Sequence, residues 1–382
     1  MNNSTKSINT GVSLLMVGDM VLDEPNAESY LDFCRNTLLA GDFVIGHVEV
    51  PHTRRGIEQS TDIPAPPADP LNLVALKTAG FDVATLAGNH IHDCGLPGIE
   101  DTISTLRNLG IATAGAGINI SAAKSPAIVE KKGVKLGVLS YNCVGPREGW
   151  ATSNKSGCAY VQVHTHYELE QASPGAAPAI FTFANPEGLE RMAEDIRQLR
   201  RQCDIAVVAL HKGIVHTPAH IEMYEYPVSH AAIDAGADIV IGHHAHIARG
   251  IEIYNGKPIY HGLGNFVTVT HALSPFENDS PERIAWAVKR EKMFGFKPDS
   301  DMPFYPFHPE SRNTMIAYCR ITGNGLEDIG YIPCHIDKQG RPHVVSDAVE
   351  GKAVFDYISN ISKAVGLKTR YEWNNGWVAA GI

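Results

Sequence analysis

Three imidazoles close the segment Ile239-Val240-Ile241-Gly242-His243-His244-Ala245-His246. Neutral imidazole is the commonest side-chain metal ligand, and His244 and His246, two apart in an extended segment, can present their rings in one direction. A single His-x-His pair is equally well read as a polar surface turn. Four other groups change that balance: Asp19, Glu49, Asn89 with His90, and His211 each stand at the end of an apolar run. Mixed carboxylate, amide and imidazole ligands suit Mn, Fe or Zn. Two such divalent ions acidify a shared water and polarise a phosphoryl or carbonyl oxygen, so the chemistry to expect is metal-assisted hydrolysis.

Meeting in one crevice requires strands whose ends converge. Val12 to Val17 before Gly18-Asp19, Phe43 to Val50 with His47 and Glu49, Phe81 to Leu86 before Gly88-Asn89-His90, Ile205 to Leu210 before His211, and the run from Ile239 all read as buried strands. Helical patterns fall between them, at about Asn26 to Leu39, Leu71 to Thr78, Leu96 to Leu109, Leu189 to Arg201 and Ile221 to Ala235. Alternating strands and helices predict an α/β fold, where a parallel sheet gathers ligand sites outside its carboxyl ends. Further strands are expected at Ile111 to Gly117, Ala127 to Glu130, Val134 to Tyr141, Met315 to Ile321 and Gly330 to Ile336, with hairpin turns at Lys132-Gly133 and Asn255-Gly256 and a helix from Val354 to Val365. Periodicity fades at about 145–186 and 274–313. With no internal repeat or low-complexity linker, the expectation is one domain over 12–382 carrying two irregular insertions.

Composition narrows the function classes. With 44% hydrophobic and 19% charged residues, the 382-residue chain reads as a globular protein. A formal charge of −10 argues against a nucleic-acid or anionic-membrane surface, yet a bound metal can still draw an anionic small-molecule substrate. No apolar run approaches the roughly eighteen residues of a spanning helix. Residues 1–10 are polar, and Val12 to Val17 is too short for a secretory signal core. Seven cysteines without a CxxC pair suit reduced thiols, so the expected location is the cytoplasm, and a homo-oligomer stays open.

Taken in order, Gly18-Asp19, the strand ending in Glu49, Gly88-Asn89-His90 with Asp93 and Gly95, His211 with Gly213, Gly236-Ala237-Asp238 leading to Gly242-His243-His244-Ala245-His246, and Leu263-Gly264-Asn265-Phe266 resemble the CapA family. These are capsule and poly-γ-glutamate synthesis proteins with a calcineurin-like metallophosphoesterase fold. The resemblance runs from about Val12 to Val267. It implies a four-layer α/β/β/α sandwich with two divalent metal ions. Asp19 and His246 would hold one ion, Asn89, His211 and His244 the other, and Glu49 would bridge them.

The sequence departs from that pattern in places. The wider fold has Asp-x-His at the first strand end, but Val21 occupies the imidazole's position, and His47 stands where the family has Asn. Two readings of His47 follow: it supplies the missing nitrogen beside Asp19, or it hydrogen-bonds to Glu49. His90 matches a position that faces substrate and assists the leaving group, and Asp93 either orients His90 or caps the helix near Leu96. His243 is expected to support its neighbours rather than bind metal. Lys212 and Val215 replace a Trp and an acid common in the family, which removes any role for those side chains.

In the insertions, Arg147, His164, His166 and Arg312, with Lys289, Arg290 and His308, are candidates to clamp a substrate carboxylate or phosphate. Trp286, Phe294, Phe296, Phe304, Tyr305 and Phe307 read as a satellite core or a water-excluding cover. The expected function is a metal-dependent hydrolase of a phosphoester or an amide such as a γ-glutamyl bond. The rival from another class is a non-catalytic binding or assembly protein of polymer synthesis, against which the lack of an N-terminal anchor counts. A degenerate fold with one structural metal is a third reading.

Overall fold

The protein is described from a computed structural model covering residues 11–59, 63, 65–168, 178–271, 280–345, 347 and 349–382. A central strand, Val12–Leu22, is buried along nearly its whole length, as expected where both faces of a sheet are covered. Phe43–Val48, Val83–Thr85 and Ala112–Ala114 follow it in parallel on one side. On the other side the partner changes. Asn313–Thr322 pairs antiparallel with Val12 to Val17, and Asn265–Val269 pairs in parallel with Asp19 to Leu22. The exchange falls at Gly18, where an added Cβ would lie 1.8 Å from the Gly264 carbonyl oxygen, so only glycine allows the approach. That same carbonyl accepts the Asp19 N–H at 2.9 Å, which sets the first candidate ligand.

A second sheet holds Val134–Asn142, Ile205–Lys212, Ile239–His244 and Lys257–Tyr260 in parallel, with antiparallel edges at Ala127–Lys131 and Ile251–Tyr254. Side-chain alternation then builds three cores. Leu14, Met16, Phe43 and Ile45 of the first sheet share a core with Leu136, Val138, Val207, Ala209, Ile239 and Ile241 of the second. The alternate residues Leu15, Val17 and Val44 pack with Leu38, Leu76, Ile99 and Leu106 of the outer helices. Leu139, Val208, Leu210 and Val240 pack with Met192, Ile196, Leu199, Val228 and Ala232 on the other flank. Each fully buried Leu, Ile or Val contributes roughly 1.5–3 kcal/mol, which binds the layers together. The result is an α/β/β/α sandwich, the layer order that the family resemblance implies.

Helix limits follow their caps. Pro186–Arg200 starts where the Asn185 side chain accepts the Gly188 N–H at 2.8 Å, with Pro186 in its first turn and Arg197 and Arg200 in its last. The helix expected over Asn26 to Leu39 is instead two short pieces, Ala27–Leu31 and Arg35–Leu39, because Cys34 leaves helical backbone at φ −124°, ψ −8°. The helix expected from Ile221 begins only at Glu225.

Both insertions are more ordered than expected. Residues 145–186 contain the hairpin Val163–Glu168 with Ala179–Ala184, and residues 274–313 contain the helix Pro281–Phe294. Interleaved polar and aromatic residues hide their periods. A C-terminal hairpin, Arg370–Asn374 with Trp377–Gly381, extends the first sheet through an Asn375-Gly376 turn whose two φ angles are positive. The polar N-terminal residues 1–10, and 169–177 and 274–279 of the insertions, lie outside the described residues.

Candidate metal centre

The carboxyl ends of both sheets, not of one, deliver the candidate ligands. The first sheet contributes Asp19 within Val12–Leu22, His47 and Glu49 at the end of Phe43–Val48, and Asn89 with His90 in the turn after Val83–Thr85. The second contributes His211 at the end of Ile205–Lys212, and His243, His244 and His246 around the end of Ile239–His244. His244 and His246 are not in extended backbone as expected. Both adopt left-handed conformations, at φ +82° and +51°, which cost on the order of 1–3 kcal/mol each. The turn is held because the His244 N–H donates to Asp19 Oδ2 at 3.1 Å.

Hydrogen bonds fix which ring nitrogen remains open. The Thr85 hydroxyl donates to the Gly46 carbonyl, so its oxygen accepts His47 Nδ1–H at 3.1 Å and leaves Nε2 as a bare lone pair. His243 Nδ1–H donates to Asp19 Oδ1 at 3.0 Å, leaving Nε2. Asn265 donates through Nδ2 to the Tyr305 hydroxyl, so its Oδ1 accepts His246 Nδ1–H at 2.8 Å and turns His246 Nε2 towards Glu49. His246 Nε2 lies 3.2 Å from Glu49 Oε1, although not in hydrogen-bonding alignment. Asn89 Oδ1 is 2.7 Å from His211 Nε2, which is 3.1 Å from His244 Nδ1. One N–H cannot serve both contacts.

Among the described residues, five buried atoms here have no hydrogen-bond partner: His47 Nε2, both Glu49 oxygens, His211 Nδ1 and His243 Nε2. Buried acceptors left this way cost about 1–3 kcal/mol each unless something outside the chain engages them. Ligand atoms of Asp19, His47 and His211 lie within 4.8 Å of one another, as do those of Asp19, Glu49 and His246. Space between the rings is kept open at Gly88, where a Cβ would stand 3.2 Å from His47 Nε2 and 3.4 Å from His211 Nδ1.

The electrostatics favour a cation. Burial pushes His47 down to about 4, and His243 and His244 down to about 3, so their lone pairs are free at neutral pH. Against burial, Glu49 and Asp19 hold the His246 proton up to about 9. Burial and the adjacent Glu49 raise Asp19, while His246 and the other imidazoles hold Glu49 down against its own burial. Two buried carboxylates thus depend on one proton for compensation. A divalent ion fits this donor set in charge and in ligand type.

A cavity opens over the cluster. Glu49, Asn89, His90, His244 and His246 line it on one side, and Val21, Val50, Val215, Phe294 and Phe307 make it apolar elsewhere. His90 Nδ1–H donates to Asp93 Oδ2 at 2.7 Å. Asp93 does not cap the following helix, Gly95–Asn108, whose N-cap position is Cys94 without a side-chain cap. No hydrogen bond links His47 to Glu49. Lys212 makes a buried ion pair with Glu225 at 2.7 Å.

The expected substrate clamps are elsewhere: Arg147, His164, His166 and Arg312 do not line the cavity. The Arg147 guanidinium lies over Trp150, and the rings of His164 and His166 lie against Phe183 and Phe181 in the hairpin. Arg312 Nε donates to the Ile336 carbonyl at 2.8 Å. These segments fold onto local partners before they reach the crevice. Among the insertion candidates it is Arg290 that lines the cavity, together with His216, which sequence reasoning missed because an isolated His in an aperiodic stretch carries no signal. The role of Asn265 in orienting His246 was also hidden within its motif.

Fold and site together define a sandwich protein with clustered metal-ligand side chains at the mouth between its sheets. Residues 13–270 match the model of the bacterial capsule synthesis protein family PGA_cap, and the chain belongs to that family. It is 29% identical over 251 residues to the PGA biosynthesis protein CapA of Bacillus subtilis (strain 168), covering 65% of this chain and 59% of that protein. It is 31% identical over 208 residues to a probable polyglutamine synthesis accessory protein of Mycobacterium tuberculosis, covering 52% of this chain and 48% of that protein. The match thus spans about half to three fifths of these relatives' length. Among solved structures, a hypothetical protein from Thermus thermophilus aligns with TM-score 0.42 and 14% identity over 86% of this chain and 95% of that one. A putative 5'-nucleotidase from Staphylococcus aureus in complex with alpha-ketoglutarate aligns with TM-score 0.42 and 14% identity over 91% and 58%. No helix among the described residues is long and apolar enough to cross a membrane.

Proposed function

We propose that the protein is a metal-dependent hydrolase acting on a phosphoester or amide bond of a small, anionic organic substrate. The observation that carries this reading is the set of buried lone pairs without partners among the described residues, clustered with Glu49, His244 and His246, which line an apolar cavity. Asp19, Glu49 and His246 would hold one ion, and Asn89, His211 and His244 the other, with His47 Nε2 replacing the imidazole lost at Val21. When bound, two such ions, Mn, Fe or Zn, supply an acidified water and polarise the scissile oxygen.

The chain's own groups do the rest. His90 lines the cavity with Nδ1–H donating to Asp93 and Nε2 accepting the Asn89 Nδ2 N–H at 3.0 Å; in its protonated form, which Asp93 would stabilise, Nε2–H would be the proton given to the leaving group. Asn265 holds His246 in register, and the apolar walls limit water to the floor. The resemblance to capsule and poly-γ-glutamate synthesis proteins favours a γ-glutamyl amide among possible substrates. All seven cysteines are unpaired, which suits a reducing cytoplasm.

The names of the relatives support a second reading, a non-catalytic accessory to polymer synthesis. The test is elemental mass spectrometry of the chain as purified and of the His244→Ala/His246→Ala double variant, followed by turnover on phosphoester and amide panels. About two ions per chain, lost in the variant together with turnover, are expected. Metal without turnover supports the accessory reading. No metal, even after loading with Mn, Fe or Zn, sinks the hydrolase. Replacing His47 with Asn is expected to weaken metal binding at least tenfold, or roughly 1.4 kcal/mol, and unchanged affinity would refute its role as a ligand.

A further inference from the structure

One wall of the cavity carries a cation that no carboxylate among the described residues neutralises. Arg290, on the helix Pro281–Phe294, is 2% exposed yet lines the cavity. Its guanidinium lies 5.5 Å from the Phe294 ring centre and 5.3 Å from that of Phe296. One terminal nitrogen donates to the Pro306 carbonyl, and Nε has no partner among the described residues. Among the described residues no carboxylate is paired with it. Burial lowers it to about 10, so it stays charged at neutral pH.

A path leads from this cation to the metal centre. The His216 ring stacks 5.7 Å from His246 and meets Phe294 at 4.9 Å and Phe296 at 5.1 Å, with Nδ1 unpartnered. His216 is held at φ +55° by its N–H, which donates to the Ala245 carbonyl at 2.8 Å. Of the two carboxylates among the cavity-lining residues, Glu49 faces His246 and Asp23 accepts the Thr270 hydroxyl at 2.8 Å. A molecule reaching from the floor to Arg290 therefore passes an apolar and aromatic stretch and ends at one unneutralised guanidinium.

We propose that Arg290 is the specificity-determining residue of this site and binds a carboxylate at the end of the substrate remote from the bond that is cut. A single guanidinium balances a single negative charge, and its planar fork matches a planar carboxylate, whereas a phosphate dianion would leave one charge buried and uncompensated. The Phe294 and Phe307 side chains and His216 would sort substrates by their apolar middle. The proposal deepens the hydrolase reading and rests on it for what happens at the other end.

The test uses the 382-residue chain stripped of metal by chelation, so that a carboxylate cannot bind through the ions. Benzoate is the probe, followed by calorimetry or ligand-observed NMR. Saturable binding is expected in the wild type, and Arg290→Met is expected to weaken it by about tenfold or more, the size of a lost charged hydrogen bond. Arg290→Lys, which keeps the charge and loses the fork, is expected to fall between them and serves alone if the Met variant does not fold. Equal affinity in wild type and variant, or no saturable binding to the wild type up to about 10 mM, overturns the proposal. Metal content and turnover are read separately, so a failed hydrolase and a failed carboxylate subsite give different results.

Discussion

His211 and Lys212 are neighbours on one strand, 1% and 0% exposed, and their side chains leave opposite faces of the second sheet. On the helix side, Lys212 donates to Glu225 Oε2 at 2.7 Å and contacts His261 Nδ1 at 3.3 Å and the His261 carbonyl at 3.4 Å. Glu225 Oε1 accepts from Arg249 at 3.0 Å and from the Glu222 N–H at 2.8 Å. Arg249 Nε is the one nitrogen of this triad without a partner among the described residues. On the sheet–sheet side, His211 belongs to a cluster with five partnerless buried atoms. Both clusters bear the desolvation cost of burial, but the chain compensates only one of them. The compensated cluster is architecture, and the other is the one proposed to hold metal.

The largest test of this contrast is Glu225→Ala, which strands Lys212 and Arg249 in the interior. It is expected to destabilise the metal-free chain by about 3–5 kcal/mol in urea unfolding. A loss below about 1 kcal/mol would mean that the pairing does not hold the fold. Next in size is the effect of metal. Adding Mn or Zn at about a hundred times its dissociation constant is expected to stabilise the wild type by roughly 2.7 kcal/mol and to leave the His244→Ala/His246→Ala variant unmoved.

Acid should separate the two clusters in order. His47, His243 and His244 are held down to about 4, 3 and 3 from an ordinary 6.5, so below 6.5 the unfolded chain takes up protons that the folded chain refuses. Their contribution is full above 6.5 and falls steadily beneath it. His246, raised to about 9, runs the other way: its share is present below 6.5 and is lost as the pH climbs through 9. Glu225 is held down to about 2, against its own burial, by Lys212 and Arg249, so its share persists to pH 4.5 and disappears between 4.5 and 2. Unfolding curves of the metal-free chain from pH 8 to 3 are expected to show the first decline near 6.5. A flat profile down to 4.5 would contradict the neutral imidazoles.

The smallest effect is expected from Glu49→Ala. Neither of its oxygens has a hydrogen-bond partner among the described residues, and its attraction to the protonated His246 is opposed by its repulsion of Asp19, so the metal-free chain should lose less than in Glu225→Ala while metal stabilisation is lost. A large loss without metal would place Glu49 in the architecture beside Glu225.

Much of this was legible in the chain itself. Runs such as Val12 to Val17 and Ile239 to Ile241 are covered on both faces, and continuous β-branched and aliphatic residues announce that directly. Asp19, Asn89, His211 and His246 announced themselves because each terminates such a run, and their ordered motifs carried the family. What the sequence could not decide depends on distance between segments remote in the chain. It left open whether Asp93 caps a helix or holds His90, and whether His47 stands beside Asp19 as a ligand or hydrogen-bonds to Glu49, and it gave no sign of the Thr85 hydroxyl that His47 bonds to. It also pointed to Arg147, His164, His166 and Arg312 beside Arg290 as substrate clamps, where the cavity takes Arg290 and adds His216. Local pattern reports which face of an element is buried, because burial is averaged along the element. The partner of a particular polar atom is set by a few ångströms across two sheets, and only the assembled layers fix that separation.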